Sequence, residues 1–475
     1  MLQSSENSVV VTTENNSFWS IMHEAVFGSR RDFTTGSIWL AIFILAVPMI
    51  IEMMGESLFA LVDIFFVGRL GASAVAVVGL TESMMALIYA VAIGLSIGAT
   101  ATVARRIGEK DTEGAAKSAA HVIYLGVIVS LVMSTIGIIF APTFLRLLGG
   151  TPQIVEQGTT FTRIMLGGNA VVVFLFLLNA IFRGAGDAAV AMRVLWLANI
   201  LNMILAPSFI YGFAFFPELG VTGAAVGTTI GRGCGALFAA WYLFRPGGRI
   251  HVHRESWRLD VGLLWKIVKL SSTAVLQFLI ATASWSALII IIAGFGEQAI
   301  AGYITALRIV MFALLPSVGL SNAAATLVGQ NLGAEKPDRA EKSVWKAAYI
   351  NAAFLGVVGL IFLIFAHTLI GIFTLDPQVL EYGTDALRII AYGFVFYGFG
   401  MVLETAFNGA GDTWTPTYLN LFIFWIFEIP LAYVLAYHFG FGAAGVFWAI
   451  TIAFSLLAVV AAILFSRGKW KLKKV

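Results

Sequence analysis

Three carboxylates interrupt a single apolar run. In PMIIEMMGESLFALVDIFFVG at 48–68, Glu56 follows Glu52 by four residues and Asp63 follows Glu52 by eleven. At about 100° per residue these steps return close to one helix face, so the three fall within about 40° of one another. Such a stripe can carry a proton or a monovalent cation; it can equally hydrogen-bond neighbouring helices or face a watery vestibule. Pro48, four residues before Glu52, lacks an amide hydrogen and weakens the helix there. Further ionisable residues stand in other apolar runs: Glu404 in MVLETAFNGAGD, Glu428 in FWIFEIPLAY just before Pro430, and Glu82 and Arg308. An ionisable side chain inside a membrane span is costly unless it meets water, a partner or a cation, so each is a candidate for coupling, for substrate contact or for a satisfied interhelical bond.

The surrounding composition says why these runs are spans. Of 475 residues 59% are hydrophobic and only 12% are charged, and mean hydropathy is +0.91, whereas a soluble domain carries about twice that charged fraction. The solvent must be lipid. At about 20 residues per crossing, apolar runs predict twelve helices near 38–68, 73–104, 117–140, 153–183, 190–213, 221–244, 262–294, 298–329, 345–374, 378–410, 415–438 and 442–466. Basic clusters then fall on alternate sides: Arg30 and Arg31; Arg105, Arg106, Lys110 and Lys117; Arg183 and Arg193; Arg245 to Arg258; Lys336, Arg339 and Lys342; and the tail from Arg467 to Lys474. By the positive-inside bias these clusters and both termini are cytoplasmic, while the intervening loops hold Glu218, Glu297 and Asp376. The formal charge of +3 carries no implication of nucleic acid, and the one cysteine, Cys234, excludes an internal disulfide.

The chain is also a duplication. A shift of 225 lays GLSIGATATVARRIGEKDTEGAAKS at 94–118 on GLSNAAATLVGQNLGAEKPDRAEKS at 319–343, and the same shift lays FRGAGD at 182–187 on FNGAGD at 407–412. Each copy holds six spans, an even number, so both share one orientation and an axis along the membrane normal relates them. The expected organisation is a polar tail with an interfacial helix at 1–37, six-helix bundles at 38–244 and 262–466, a linker at 245–261 and a basic tail at 467–475. Within the first segment Phe18, Trp19, Ile21, Met22, Val26 and Phe27 recur at helical spacing, residues 1–16 read as disordered, and no cleavable signal is evident.

The block at 48–71, the GLSIGATATVARRIGEKD loop, both F-[RN]-GAGD turns and ELGVTGAAVGT at 218–228 resemble the multidrug and toxic compound extrusion (MATE) family, nearest its bacterial DinF-like branch. The resemblance implies a V-shaped, all-α pair of bundles that exports amphipathic or cationic organic compounds in exchange for H⁺ or Na⁺. It also implies that Asp63 is the coupling aspartate of the N-terminal bundle, that Asn179 and Asn202 belong to its polar cluster, and that Pro48 is where the first helix bends. The position of a second family aspartate is Ala206 here, which favours H⁺ over Na⁺. Glu404 and Glu428 stand as a second site or a substrate counter-ion, and Glu82 with Arg308 as a gate pair across the cleft. The alternative reading is a flippase for a lipid-linked saccharide or another amphipathic lipid, which calls for a cationic cavity where the candidate residues here are acidic.

Remaining motifs read structurally. The GAGD turns lack GxxxxGK[ST], so they are helix ends and not phosphate loops. His251 and His253 in a basic loop read as solvated, and Phe394, Phe396, Tyr397, Phe399 and Phe407 as packing or as aromatic faces for a cation. No nucleophile and base pair is visible, so no enzyme, no cofactor and no metal site are expected. The expected setting is a monomer in the inner membrane of a bacterium, with membrane lipids and small-molecule substrates as its partners.

Overall fold

In lipid every backbone amide must be satisfied within its own segment, which makes helices the default. The computed structural model describes residues 17–213 and 215–474, and the stretch 1–16, with its expected disorder, lies outside them. The first half runs α1 (Phe18–Phe27), α2 (Ile38–Gly68), α3 (Ala72–Gly108), α4 (Thr112–Leu147), α5 (Pro152–Gly167), α6 (Asn169–Ala185), α7 (Ala188–Tyr211) and α8 (Val221–Phe244). The second runs α9 (Val261–Ala293), α10 (Glu297–Gly333), α11 (Pro337–Gly371), α12 (Pro377–Ala391), α13 (Phe394–Gly409), α14 (Trp414–Asn420), α15 (Ile429–Tyr433) and α16 (Ala443–Ser466). Wide π-helical turns, Leu421–Glu428 and Val434–His438, join α14 to α15 and extend α15, so the eleventh crossing is Trp414–His438.

Among the described residues ten helices are long and apolar enough to cross a bilayer, with α5 and α6 counted as one. The pair α12 and α13 makes an eleventh, and here the single predicted span 378–410 is corrected: it bends by 60° at the break before Phe394. The twelfth is α8, 24 residues long, whose TGAAVGTTIGRGCG stretch is rich in Gly and Thr and which lies along α7, its main neighbour. A second correction concerns the basic clusters. Arg105, Arg106, Lys117 and Arg183 lie inside helix ends, not in loops. The reason is length: α3 and α10 have 37 residues each, about 55 Å at 1.5 Å per residue, well beyond a hydrocarbon core of about 30 Å. Both GAGD motifs end helices as expected, with Gly186 at φ 81° and Gly411 at φ 83°, a left-handed turn that glycine adopts without a Cβ penalty.

The repeated glycines bring the two halves together. A Cβ on Gly108 would stand 2.0 Å from the Gln330 carbonyl oxygen, and one on Gly333 would stand 2.1 Å from the Arg105 carbonyl oxygen. These contacts exchange under the sequence shift, since 333 − 108 and 330 − 105 are both 225, which is what a two-fold axis between α3 and α10 requires. Gly94 packs on Val275 of α9, and its equivalent Gly319 packs on Met49 of α2. All these contacts lie on the half of the molecule that carries the basic clusters. Toward the other side α3 and α10 expose Glu82, Leu87, Arg308 and Phe312 in mid-helix, so the V opens away from the basic clusters.

The first helix of the duplication is shared. From Ala41 to Met49, α2 is buried in one core with α10, α11, α13 and α16, whereas its later residues turn to α7 and α8. Pro48 lies inside the continuous α2 at this handover. On the basic side the segment after α1 is held by the linker and by the second half: Arg249 donates to the Ser29 carbonyl at 3.0 Å, and Lys336 and Arg339 donate to the carbonyls of Thr34 and Thr35 at 2.9 and 2.7 Å.

Candidate ion-coupling site and cleft

Along α2 the three acids of the stripe meet three different surroundings. Glu52 is 1% exposed and pairs with Arg183 of α6 at 2.8 Å. One turn on, Gly55 leaves room for the Trp196 ring, whose Nε1 donates to the Ile51 carbonyl at 3.1 Å and pins α2 to α7. Glu56 is then held from two helices, by Arg232 of α8 at 2.9 Å and by Asn199 of α7 at 3.2 Å. Asp63 forms no ion pair among the described residues. Its Oδ1 is buried without a hydrogen-bond partner among the described residues, and it lies within electrostatic reach of Arg232 and Glu82.

Arg232 pairs with one of these acids and lies within electrostatic reach of another. The side chain is 2% exposed, its guanidinium lies 5.0 Å from the Phe59 ring centroid, and Nε and Nη1 have no acceptor among the described residues. Arg232, Asp63 and Tyr89 thus lie within electrostatic reach of one another. Glu82 lies within electrostatic reach both of Asp63 and of Arg308 in the second half. Glu82 and Arg308 form no ion pair in this state among the described residues.

The two-fold seen in the glycine contacts also governs the comparison with known proteins, because residues 48–208 and 274–434 each match the MatE family. The chain belongs to the MatE family. It is 28% identical over 443 residues to the probable multidrug resistance protein NorM of Thermotoga maritima, a match that spans 91% of this chain and 93% of that one. It is 25% identical to the multidrug export protein MepA of Staphylococcus aureus over 90% of this chain and 94% of that one. Its fold is similar, at a TM-score of 0.86 and 28% identity, to the outward-facing conformation of a multidrug resistance MATE family transporter, over 92% of this chain and 98% of that one. Together with the twelve crossings, this makes the chain an integral membrane protein with the two-bundle fold of the MatE family.

Within that MatE fold the two asparagines stand apart from Asp63. Asn202 donates to Thr228 Oγ1 at 2.8 Å, linking α7 to α8, and Asn179 is buried in α6 with an unpartnered Oδ1. Neither is hydrogen-bonded to Asp63 in this state among the described residues. Ala206 is buried where α7 meets Gly227 of α8. In the second half Glu404 lies beside Asn420, and Glu428 is 1% exposed with both carboxyl oxygens unpartnered among the described residues. Tyr397 is within electrostatic reach of both.

The aromatic group of the tenth span divides: Phe394 and Phe407 are core, Tyr397 packs on Phe454 at 4.3 Å, and Phe396 is exposed. His253 caps the short turn Arg254–Trp257, with Ser256 Oγ 3.3 Å from its Nδ1. Sequence reasoning missed Arg232 and Asn199. The signal for Arg232 was present, since a lone arginine in the apolar run 221–244 must find a buried acid.

Proposed function

We propose that this chain is a secondary active antiporter that exports amphipathic or cationic organic compounds in exchange for H⁺ by alternating access, with Asp63 as the proton-carrying group. The observation that carries the reading is the charge balance along α2. Glu52 is matched by Arg183 and Glu56 by Arg232, and Asp63 is the acid left over. A lone carboxylate is costly to shut away from water, and one proton removes that cost. Arg232 within electrostatic reach of it and Ala206 in place of a second acid both work against a bound Na⁺, which prefers several oxygen ligands and no nearby cation. Relatives named for multidrug resistance and export support the substrate class.

In this mechanism the cleft open away from the basic clusters releases substrate, and a proton then enters to Asp63 past Glu82. Neutral Asp63 lets the pocket close and the glycine contacts between α3 and α10 separate. Pro48 supplies the bend, because it lies where α2 passes from one half's core to the other's helices. Asn179 and Asn202 are the donors that re-form around Asp63 in the other state, Glu404 and Glu428 serve as counter-ions for a cationic substrate, and Glu82 with Arg308 closes the outer gate. The bundles are 38–244 and 262–466 about the linker 245–261, with both termini cytoplasmic in a bacterial inner membrane. The test is uptake of a fluorescent organic cation by proteoliposomes: a pH gradient without Na⁺ should drive it, and activity that requires Na⁺ at fixed pH would refute proton coupling.

A further inference from the structure

On the side of the basic clusters, away from the cleft, a groove of about 530 Å³ opens between the α14 crossing and α16. Its walls are Phe422 and Phe427 on one side and Leu456, Val460 and Leu464 on the other. The π-helical stretch Leu421–Glu428 runs along one wall. At the mouth stand Arg467 and Lys469, both exposed and without an ion-pair partner among the described residues. Their neighbours on the tail are already engaged: Lys471 pairs with Glu341 at 2.6 Å, and Lys473 Nζ is 3.0 Å from Asp412 Oδ1. The acid that lines the groove, Asp412, is therefore neutralised, with Thr415 also donating to it at 2.8 Å.

The geometry has a depth as well as a charge. Eleven residues separate Leu456 from Arg467, about 16 Å along a helix, which is close to one leaflet's half of a hydrocarbon core of about 30 Å. Trp414 and Tyr418 stack at 5.3 Å and are exposed near the same end, as aromatic side chains at a headgroup level are. Buried Trp470, stacked on Phe465 at 4.5 Å, fixes the tail that presents the two cations. An apolar channel one leaflet deep under two free cations matches one ligand chemistry.

We propose that this groove binds an anionic phospholipid of the leaflet on the basic side, its phosphate between Arg467 and Lys469 and one acyl chain along Phe422, Phe427, Leu456, Val460 and Leu464. The site is separate from the cleft, and the proposal is independent of the transport reading. Each basic residue near a headgroup contributes about 1 kcal/mol, so removing both should weaken binding roughly thirty-fold.

The experiment measures lipid binding to the full-length protein in detergent by native mass spectrometry, with dioleoyl phosphatidylglycerol, dioleoyl phosphatidylcholine and inorganic phosphate as separate probes. Wild type should hold phosphatidylglycerol in preference to phosphatidylcholine and retain no inorganic phosphate. R467A/K469A should lose the preference, and Val460→Trp, which fills the channel and keeps both cations, should lose phosphatidylglycerol itself. Equal binding of the two lipids to wild type, an undiminished preference in R467A/K469A, or retention of inorganic phosphate alone would each overturn the proposal.

Discussion

At Arg232 a single guanidinium serves one acid directly and a second at a distance. Its Nη2 bonds Glu56 while Nε and Nη1, like Oδ1 of Asp63, have no hydrogen-bond partner among the described residues. Removing one member of a buried pair strands the other, so Arg232→Met is expected to cost about 3–5 kcal/mol. Glu56→Leu combined with Arg232→Leu should cost less than Arg232→Met, because Glu56 is then not left stranded without its partner. Thermal unfolding in detergent checks the order; a double variant weaker than the single would contradict it. The carboxylates were legible in the sequence because an acid in an apolar run stands out. Which acid meets which arginine was not, since it depends on packing between α2, α6, α7 and α8 and leaves no spacing signal.

Helix contacts in this fold are set by glycine and by caps. Gly108 and Gly333 allow α3 and α10 to meet backbone to backbone, and the overpacking introduced by Gly108→Ala should cost about 1–3 kcal/mol in this state. Spin labels on the basic-side ends of α3 and α10 should report a widened distance in that variant, and an unchanged distance with unchanged stability would count against the contact as a closure.

Between α4 and α9, Asp260 accepts from Leu263 N at 3.0 Å while Lys117 Nζ donates to it at 2.9 Å. The Lys117 hydrogen bond, with the backbone bond behind it, holds the Asp260 carboxyl down from 3.8 to about 2. A depressed carboxyl stabilises fully above its unfolded value and loses that contribution as pH falls through its folded value. Wild type should therefore unfold at a higher temperature than Asp260→Asn at pH 6, and the margin should shrink between about pH 4 and pH 2; a margin flat across that window would refute the linkage.

Although α4 and α11 begin well before the predicted starts at 117 and 345, in stretches that carry Glu113, Arg339 and Lys342, most spans were readable at nearly their observed ends because hydropathy and charge fix them. The 60° bend before Phe394 was not, as it comes from packing around Gly393 in an otherwise apolar run.

At the scale of the whole molecule the duplication predicted two parallel copies, and the exchanged contacts of Gly108 with Gln330 and Gly333 with Arg105 are that symmetry in atoms. The sequence also showed that the copies had diverged, with Asp63 in one and Glu404 and Glu428 in the other. It did not show that α2 is buried up to Met49 in the core of the second half and beyond it bonds α7 and α8 of the first, a fact of tertiary packing that gives one helix mechanical access to each. The central claim is that Asp63 carries the proton that the substrate exchanges for. The most direct measurement follows the pH inside proteoliposomes with a trapped dye while an organic cation is imposed across the membrane, for wild type and Asp63→Asn. Wild type should move protons only when substrate is present, and Asp63→Asn should move none while still binding the cation. Substrate-dependent proton movement by Asp63→Asn at the wild-type rate would contradict the account.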